Sequence, residues 1–311
     1  METGWLSQLH ADEIVLIDGG TGSELQRRGV SMSAAAWSGV AALTHKALLR
    51  EVHEDYIRAG AQVITTNTFA TTRFVLESAG LGDAFETINR RAVEAAVEGR
   101  DAAARQPVAI AGSLSCLPPG LDVAAYPDAS RERDAYRELA QLLAASGVDL
   151  IALEMMEDTE HAAMAMEAAV DVGLPVWLGV STRLGQRGLV GFDFPDIPLS
   201  APLQALVPMN PAVVNIMHTP PEAVEPALEE LKRHWTGPAG AYPELGDFAP
   251  PQWQFTHPSS PADLVSHAVS WVRAGARLLG GCCGTTPGHI RALRDARREL
   301  RAARTETDSC K

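Results

Sequence analysis

The sequence predicts an α/β protein of the (β/α)8, TIM-barrel class. Eight short apolar runs recur along its 311 residues, each followed by a segment with helical spacing. The runs lack strict alternation, which marks strands buried on both faces, as in a parallel sheet. Several helical segments end in the same punctuation: Ala59-Gly60-Ala61, Ser146-Gly147-Val148 and Ala274-Gly275-Ala276. A glycine there permits a left-handed cap that turns the chain back to the next strand. An open doubly wound sheet is the competitor. Its dinucleotide fingerprint is missing, because the first run is followed only by Asp18-Gly-Gly-Thr-Gly22. No linker rich in Gly, Ser or Pro splits the chain, so one domain over residues 1–311 is expected.

The runs, in order, are Ile14 to Ile17, Val63 to Thr66, Val108 to Ala111, Leu150 to Leu153, Val176 to Val180, Ala212 to Met217, a weaker Ala239 to Tyr242, and Ala276 to Leu279. Leu48, Val52, Tyr56 and Ala59 form a helical stripe after the first run; Val224, Leu228 and Leu231 do so after the sixth. Thr219-Pro-Pro-Glu222 reads as a capping box with proline at the first helical position. Leu264, Ala268, Trp271 and Val272 follow a Ser260-Pro261 start, and Thr286-Pro287 opens a last helix to about Arg301. Residues 185–211 read as a long loop with a short helix. Residues 243–260, rich in proline, form either a cover for the barrel mouth or a solvated excursion.

There are 26 Lys+Arg against 39 Asp+Glu, a net charge of −13. No basic stripe is present, which argues against nucleic acid or an anionic membrane as an unaided partner. No stretch reaches the ~20 apolar residues of a membrane span. The first ten residues lack a basic n-region, so a secretory signal is not expected. Cytoplasmic residence follows as the default. No dimerisation arm is evident.

Barrel chemistry sits at the C-terminal ends of the strands. Here those ends carry Asp18, Asn67, Ser113, Glu154, Ser181, His218, Tyr242 and the Cys282-Cys283 pair. The set is polar and rich in metal-ligand types. Both sulfurs can meet one metal only if the backbone leaves strand geometry at the pair. The flanking glycines of Gly280-Gly-Cys-Cys-Gly284 allow that. A helix starting near Pro287 points its positive end at the pair and favours thiolate. The alternatives are two buried small apolar side chains or a vicinal disulfide. Of the other cysteines, Cys310 lies in a polar tail, and Cys116 follows the third run.

Three segments together resemble the homocysteine S-methyltransferase family: Asp18-Gly-Gly-Thr-Gly-Ser-Glu-Leu with Arg27-Arg-Gly29, then Thr65-Thr-Asn-Thr-Phe69, then Gly280-Gly-Cys-Cys-Gly-Thr-Thr-Pro287. The resemblance runs from about Ile14 to Leu293. It implies a barrel enzyme that moves a methyl group from a small onium or thioether donor to the thiol of homocysteine, giving methionine. It also implies zinc held by three cysteines, two of which match Cys282 and Cys283. The third normally follows an asparagine at the end of strand six. Here Asn215 is present, but Ile216 takes the cysteine's place. Counted back from the Pro221-Glu222 helix start, His218 falls on the missing ligand, and imidazole is a good zinc ligand. Cys116 is a second candidate; a capping or hydrogen-bonding role is the alternative for His218.

By the same resemblance Asp18 and Glu154 hold the substrate ammonium. Against this stand a helix-capping role for Asp18 and an ion pair such as Glu154–Arg183. Backbone N–H groups of Gly19, Gly20 and Thr21 are placed to take the substrate carboxylate. Asn67 and Asn215 either orient substrate or shape turns. Trp37, Tyr242 and Trp253 either wall the donor site by cation–π attraction or belong to the core. Met155-Met156, after Glu154, departs from the family's pattern and leaves the donor's identity open. A repurposed or zinc-free barrel acting on another thiol, and a non-catalytic amino-acid or metal binder, are the rival functions.

Overall fold

The computed structural model describes residues 4–11, 13–186, 188–249, 252–254 and 259–308. Its barrel strands are β1 (Val15–Leu16), β2 (Val63–Thr65), β3 (Ala109–Ser115), β4 (Leu150–Glu154), β5 (Val176–Val180), β6 (Val213–Met217), β7 (Ala239–Tyr242) and β8 (Ala276–Leu279). All eight expected runs form strands. They pair in parallel in the order β1-β8-β7-β6-β5-β4-β3-β2. A parallel bridge between Ile17 and Val63 closes the ring.

Strand alternation divides the core in two. Val15, Ile17, Val63, Ala111, Leu150, Ala152, Trp177, Val213, Met217 and Leu278 fill the barrel. Leu16, Ile64, Ile110, Ile151, Leu178, Val214, Ile216 and Leu279 pack outward under the helices. The helix Gly4–His10 plugs the N-terminal end, with Trp5 edge-on to Trp177 at a 5.0 Å centroid distance. The C-terminal end is left for the site.

The helical stripes are buried as expected, with Leu49 more deeply buried than Leu48. Gly60, Gly147 and Gly275 all take positive φ, at 123°, 93° and 104°. Three readings need correction. Residues 182–191, read as loop beyond Gly185, form an antiparallel hairpin of Thr182–Gly185 with Gly188–Gly191 before the helix Ser200–Leu206. Thr219 does not cap the helix Pro221–Leu231; its hydroxyl donates to the Met217 carbonyl and accepts the Thr182 N–H. The last helix breaks at Ala296 into Pro287–Asp295 and Arg297–Asp308. A second hairpin, Asp247–Ala249 with Gln252–Gln254, lies in the connection after β7.

Candidate active site

Strand β8 ends at Leu279, so Cys282 and Cys283 lie beyond strand geometry, as both sulfurs require to face one point. Their backbone is tied on both sides. The Gly281 N–H donates to the Asp18 carbonyl at 3.1 Å, the Cys282 N–H to the Pro243 carbonyl at 2.7 Å, and the Leu245 N–H to the Cys283 carbonyl at 2.7 Å. Gly20 packs so closely that a Cβ there would lie 2.7 Å from the Cys282 carbonyl oxygen and 3.0 Å from the Cys283 Cα.

On β6, Val213 and Met217 face the barrel interior while Val214 and Ile216 face the helices. Ile216 is therefore buried away from the site. By parity residue 218 would follow Ile216 outward. Instead His218 adopts φ 42°, a left-handed conformation that an L-residue rarely takes. This turns its imidazole inward, while its N–H donates to the Tyr242 carbonyl at 3.1 Å. The result is that His218 Nδ1 lies 3.4 Å from Cys282 Sγ, and the two sulfurs are 3.7 Å apart. Ligand atoms of His218, Cys282 and Cys283 all lie within 4.8 Å of one another, close enough to share one metal ion. Cys116 is not in this group. It is buried in the layer between sheet and helices, where burial pushes its thiol well up. Cys310 lies outside the described residues.

The group opens on a cavity of about 100 Å³. Asp18, Gly19, Gly20, Thr21, Asn67 and Glu154 are among its lining residues. Met32, Trp37, Phe69, Met155, Met217 and Tyr242 add apolar surface to the lining, with the Trp37 and Phe69 rings 5.4 Å apart. The Trp253 side chain lies outside the described residues.

Asp18 is not a helix cap. Its carboxylate accepts the Thr65 N–H at 2.7 Å and the Thr65 hydroxyl at 3.0 Å. Burial outweighs these bonds and lifts its pKa to about 7. Glu154 accepts the Ser113 hydroxyl and, among the described residues, forms no ion pair with Arg183. Burial and the nearby Cys282 charge raise it to about 8, against the bond from Ser113. Among the described residues neither carboxyl pairs with an arginine or lysine; at an open cavity such a pair suits a positive group.

Burial alone would lower the His218 pKa, but the Cys282 sulfur beside it lifts it to about 9. Cys282 is held well below a normal thiol, first by the hydrogen bond from Cys283 and then by His218, while Cys283 is pushed up in turn. One thiolate is thus ready for a metal.

Asn67 lines the cavity, but its amide is clamped by Ser38: its oxygen accepts the Ser38 hydroxyl at 2.6 Å and its nitrogen donates to the Ser38 carbonyl at 2.8 Å. Asn215 does not line the cavity. It faces the barrel interior one layer below Met217, fully buried, and its amide has no hydrogen-bond partner among the described residues. The sequence reading missed Met32, Ser38 and Met217. Met217 alone carried a signal, its inward parity on β6.

A family model described as homocysteine S-methyltransferase matches residues 15–297. The chain is 30% identical to homocysteine S-methyltransferase 3 of Arabidopsis thaliana, covering 89% of this chain and 88% of that protein. It is also 30% identical to a selenocysteine methyltransferase of Astragalus bisulcatus, covering 91% and 92%. The metallated form of the homocysteine methyltransferase MmuM from Escherichia coli superposes with a TM-score of 0.73 at 27% identity, covering 93% of this chain and 98% of that one. With the barrel, the strand-end site and these likenesses in agreement, the chain belongs to the homocysteine S-methyltransferase family and is a methyltransferase.

Proposed function

We propose that the protein transfers a methyl group from a small methyl-onium or thioether donor to the thiol of homocysteine, giving methionine, with zinc held by His218, Cys282 and Cys283. The observation that carries this reading is the convergence of those three donors at the cavity edge. Tetrahedral zinc with bonds of ~2.3 Å to sulfur and ~2.0–2.1 Å to nitrogen needs donors about 3.8 Å (S to S) and 3.6 Å (S to N) apart. The 3.7 Å and 3.4 Å separations fit. When bound, zinc supplies an open coordination position that takes up a thiol as thiolate at neutral pH, where a free thiol of pKa ~8.5 is mostly protonated.

The chain's own residues do the rest. Asp18 and Glu154 take the homocysteine ammonium, and each charge offsets the other's burial. Gly19, Gly20 and Thr21 present backbone N–H groups and the Thr21 hydroxyl, which has no partner among the described residues, to the carboxylate. The substrate is then fixed at both ends, with its sulfur toward the metal group. Trp37, Phe69 and the methionines exclude water, and the two rings offer aromatic faces to a cationic donor. The donor's methyl–sulfur or methyl–nitrogen bond breaks as the new carbon–sulfur bond forms. An onium donor leaves neutral, so no general acid is needed; a thioether donor leaves as a thiolate and takes up the proton that the homocysteine thiol released on ionising.

Metal analysis of protein purified without chelators tests the reading. About one zinc per chain, lost in Cys283→Ala, supports it, as does methionine formed from homocysteine and a candidate donor, followed by mass. A metal-free protein with an intact fold favours the repurposed barrel. Zinc binding without turnover on homocysteine or a selenol acceptor favours a binder.

A further inference from the structure

We propose that Glu157 and Phe192 are positioning residues for His218: Glu157 anchors the turn after the Thr182–Gly191 hairpin, and that turn lays Phe192 against the imidazole. The inference rests on His218 being a zinc ligand.

Glu157 lies three residues beyond Glu154, on the same connection, yet it does not line the cavity. It is 1% exposed. One carboxyl oxygen accepts the Asp193 N–H at 2.7 Å; the other has no hydrogen-bond partner among the described residues. A buried carboxyl so poorly satisfied is costly. The backbone N–H groups that bond it, of Asp193 and Phe194, both belong to one place, the turn that carries Phe192. Gly191 abuts the same oxygen: a Cβ there would lie 3.1 Å from it and 2.8 Å from the Phe194 carbonyl oxygen. Only glycine lets the turn close on the carboxyl.

Phe192 is half-buried and stands edge-on to His218, with centroids 4.7 Å apart and planes at 69°. His218 needs such a wall, because a side chain at φ 42° holds its place only when its surroundings over-determine it. The path therefore runs from β4 through Glu157, the Asp193 N–H and the Phe192 ring to the imidazole. A residue that holds a ligand in place sets metal affinity without touching the metal.

Zinc affinity, read by competition with a chromophoric chelator, tests this, with the melting temperature of the metal-free protein as a control. Glu157→Ala and Phe192→Ala should each weaken zinc binding about tenfold. Glu157→Gln should stay near wild type, because its amide oxygen can still accept the Asp193 N–H. The double alanine variant should be no weaker than Phe192→Ala alone, since both changes act through one contact. If Glu157→Ala fails to fold, Gly191→Ala replaces it and should weaken zinc similarly. Unchanged affinity in these variants, multiplying losses, or a Glu157→Gln as weak as the alanine would overturn the proposal. A wild type that binds no zinc defeats the proposed function and this inference with it. A zinc-binding wild type that ignores Glu157 and Phe192 defeats this inference alone.

Discussion

The imidazole Nδ1 of His218 faces Cys282 Sγ at 3.4 Å, although residue 218 has the strand parity of Ile216, which is buried under the helices. Turning one residue over brings the imidazole to the thiols, where the proposed zinc site needs it. His218→Ala should lower zinc affinity by ~100-fold or more, above the ~10–100-fold typical of residues that only support a ligand. His218→Cys should retain zinc, because a thiolate is an equally good donor. Equal zinc content in wild type and His218→Ala, measured after dialysis against a weak chelator, would refute the assignment.

Ser113 holds Glu154, and Thr65 holds Asp18. If the two carboxyls bind the ammonium, Asp18→Asn and Glu154→Gln should act mainly on KM for homocysteine. A hydrogen bond to a charged group is worth about 1.5–3 kcal/mol, or a rise of about ten- to over a hundredfold. Ser113→Ala should produce a smaller rise of the same kind. Steady-state kinetics at fixed donor separates this from a loss confined to kcat, which would argue against the role.

Gly240 and Asn215 face each other across the β6–β7 pairing, and a Cβ at 240 would stand 2.0 Å from the Asn215 amide oxygen. Gly240→Ala should therefore cost about 1–3 kcal/mol by overpacking. Asn215→Ala in the same chain should recover most of it, since the crowding atom is removed. Urea midpoints of the two single variants and the double variant measure this; additive losses would show that the contact is not the cause.

His53 is fully buried on the helix Lys46–Ala59, its ring nitrogens unpartnered among the described residues. Burial lowers its pKa from 6.5 to about 4. The unfolded chain then binds the extra proton first, so stability is full above pH 6.5 and falls as pH drops toward 4. The loss amounts to about 3 kcal/mol across that window. His53→Met should flatten this part of the stability profile. An unchanged difference between urea midpoints at pH 7 and pH 4.5 would count against it.

Strands buried on both faces write their position into composition, and so all eight were legible, as were the glycines that end the helices at residues 60, 147 and 275. The Thr182–Gly191 hairpin was not. Its strands are four residues each, half of those residues exposed, and ended by glycines, so neither periodicity nor apolar density marks them. Cys282 and Cys283 stood out because Gly280-Gly-Cys-Cys-Gly284 resembles the family's segment; the residues alone left two buried small side chains or a vicinal disulfide equally open. His218 was placed by counting back from the helix start, and the conformation that makes it work is a backbone angle no residue type announces. Glu157 was invisible because its partner is a main-chain N–H 36 residues away.

The end of β7 runs between His218 on one side and Cys282 and Cys283 on the other. Its Tyr242 carbonyl takes the His218 N–H, its Pro243 carbonyl takes the Cys282 N–H, and Leu245 returns a bond to Cys283. The gap between imidazole and thiols is thus gauged by main chain rather than by whatever ion fills it. If this group holds zinc as proposed, emptying it should leave its mouth the same width, and a stripped enzyme should reload with no refolding. Such a centre is a reusable fitting, unlike small zinc modules whose architecture dissolves with their ion.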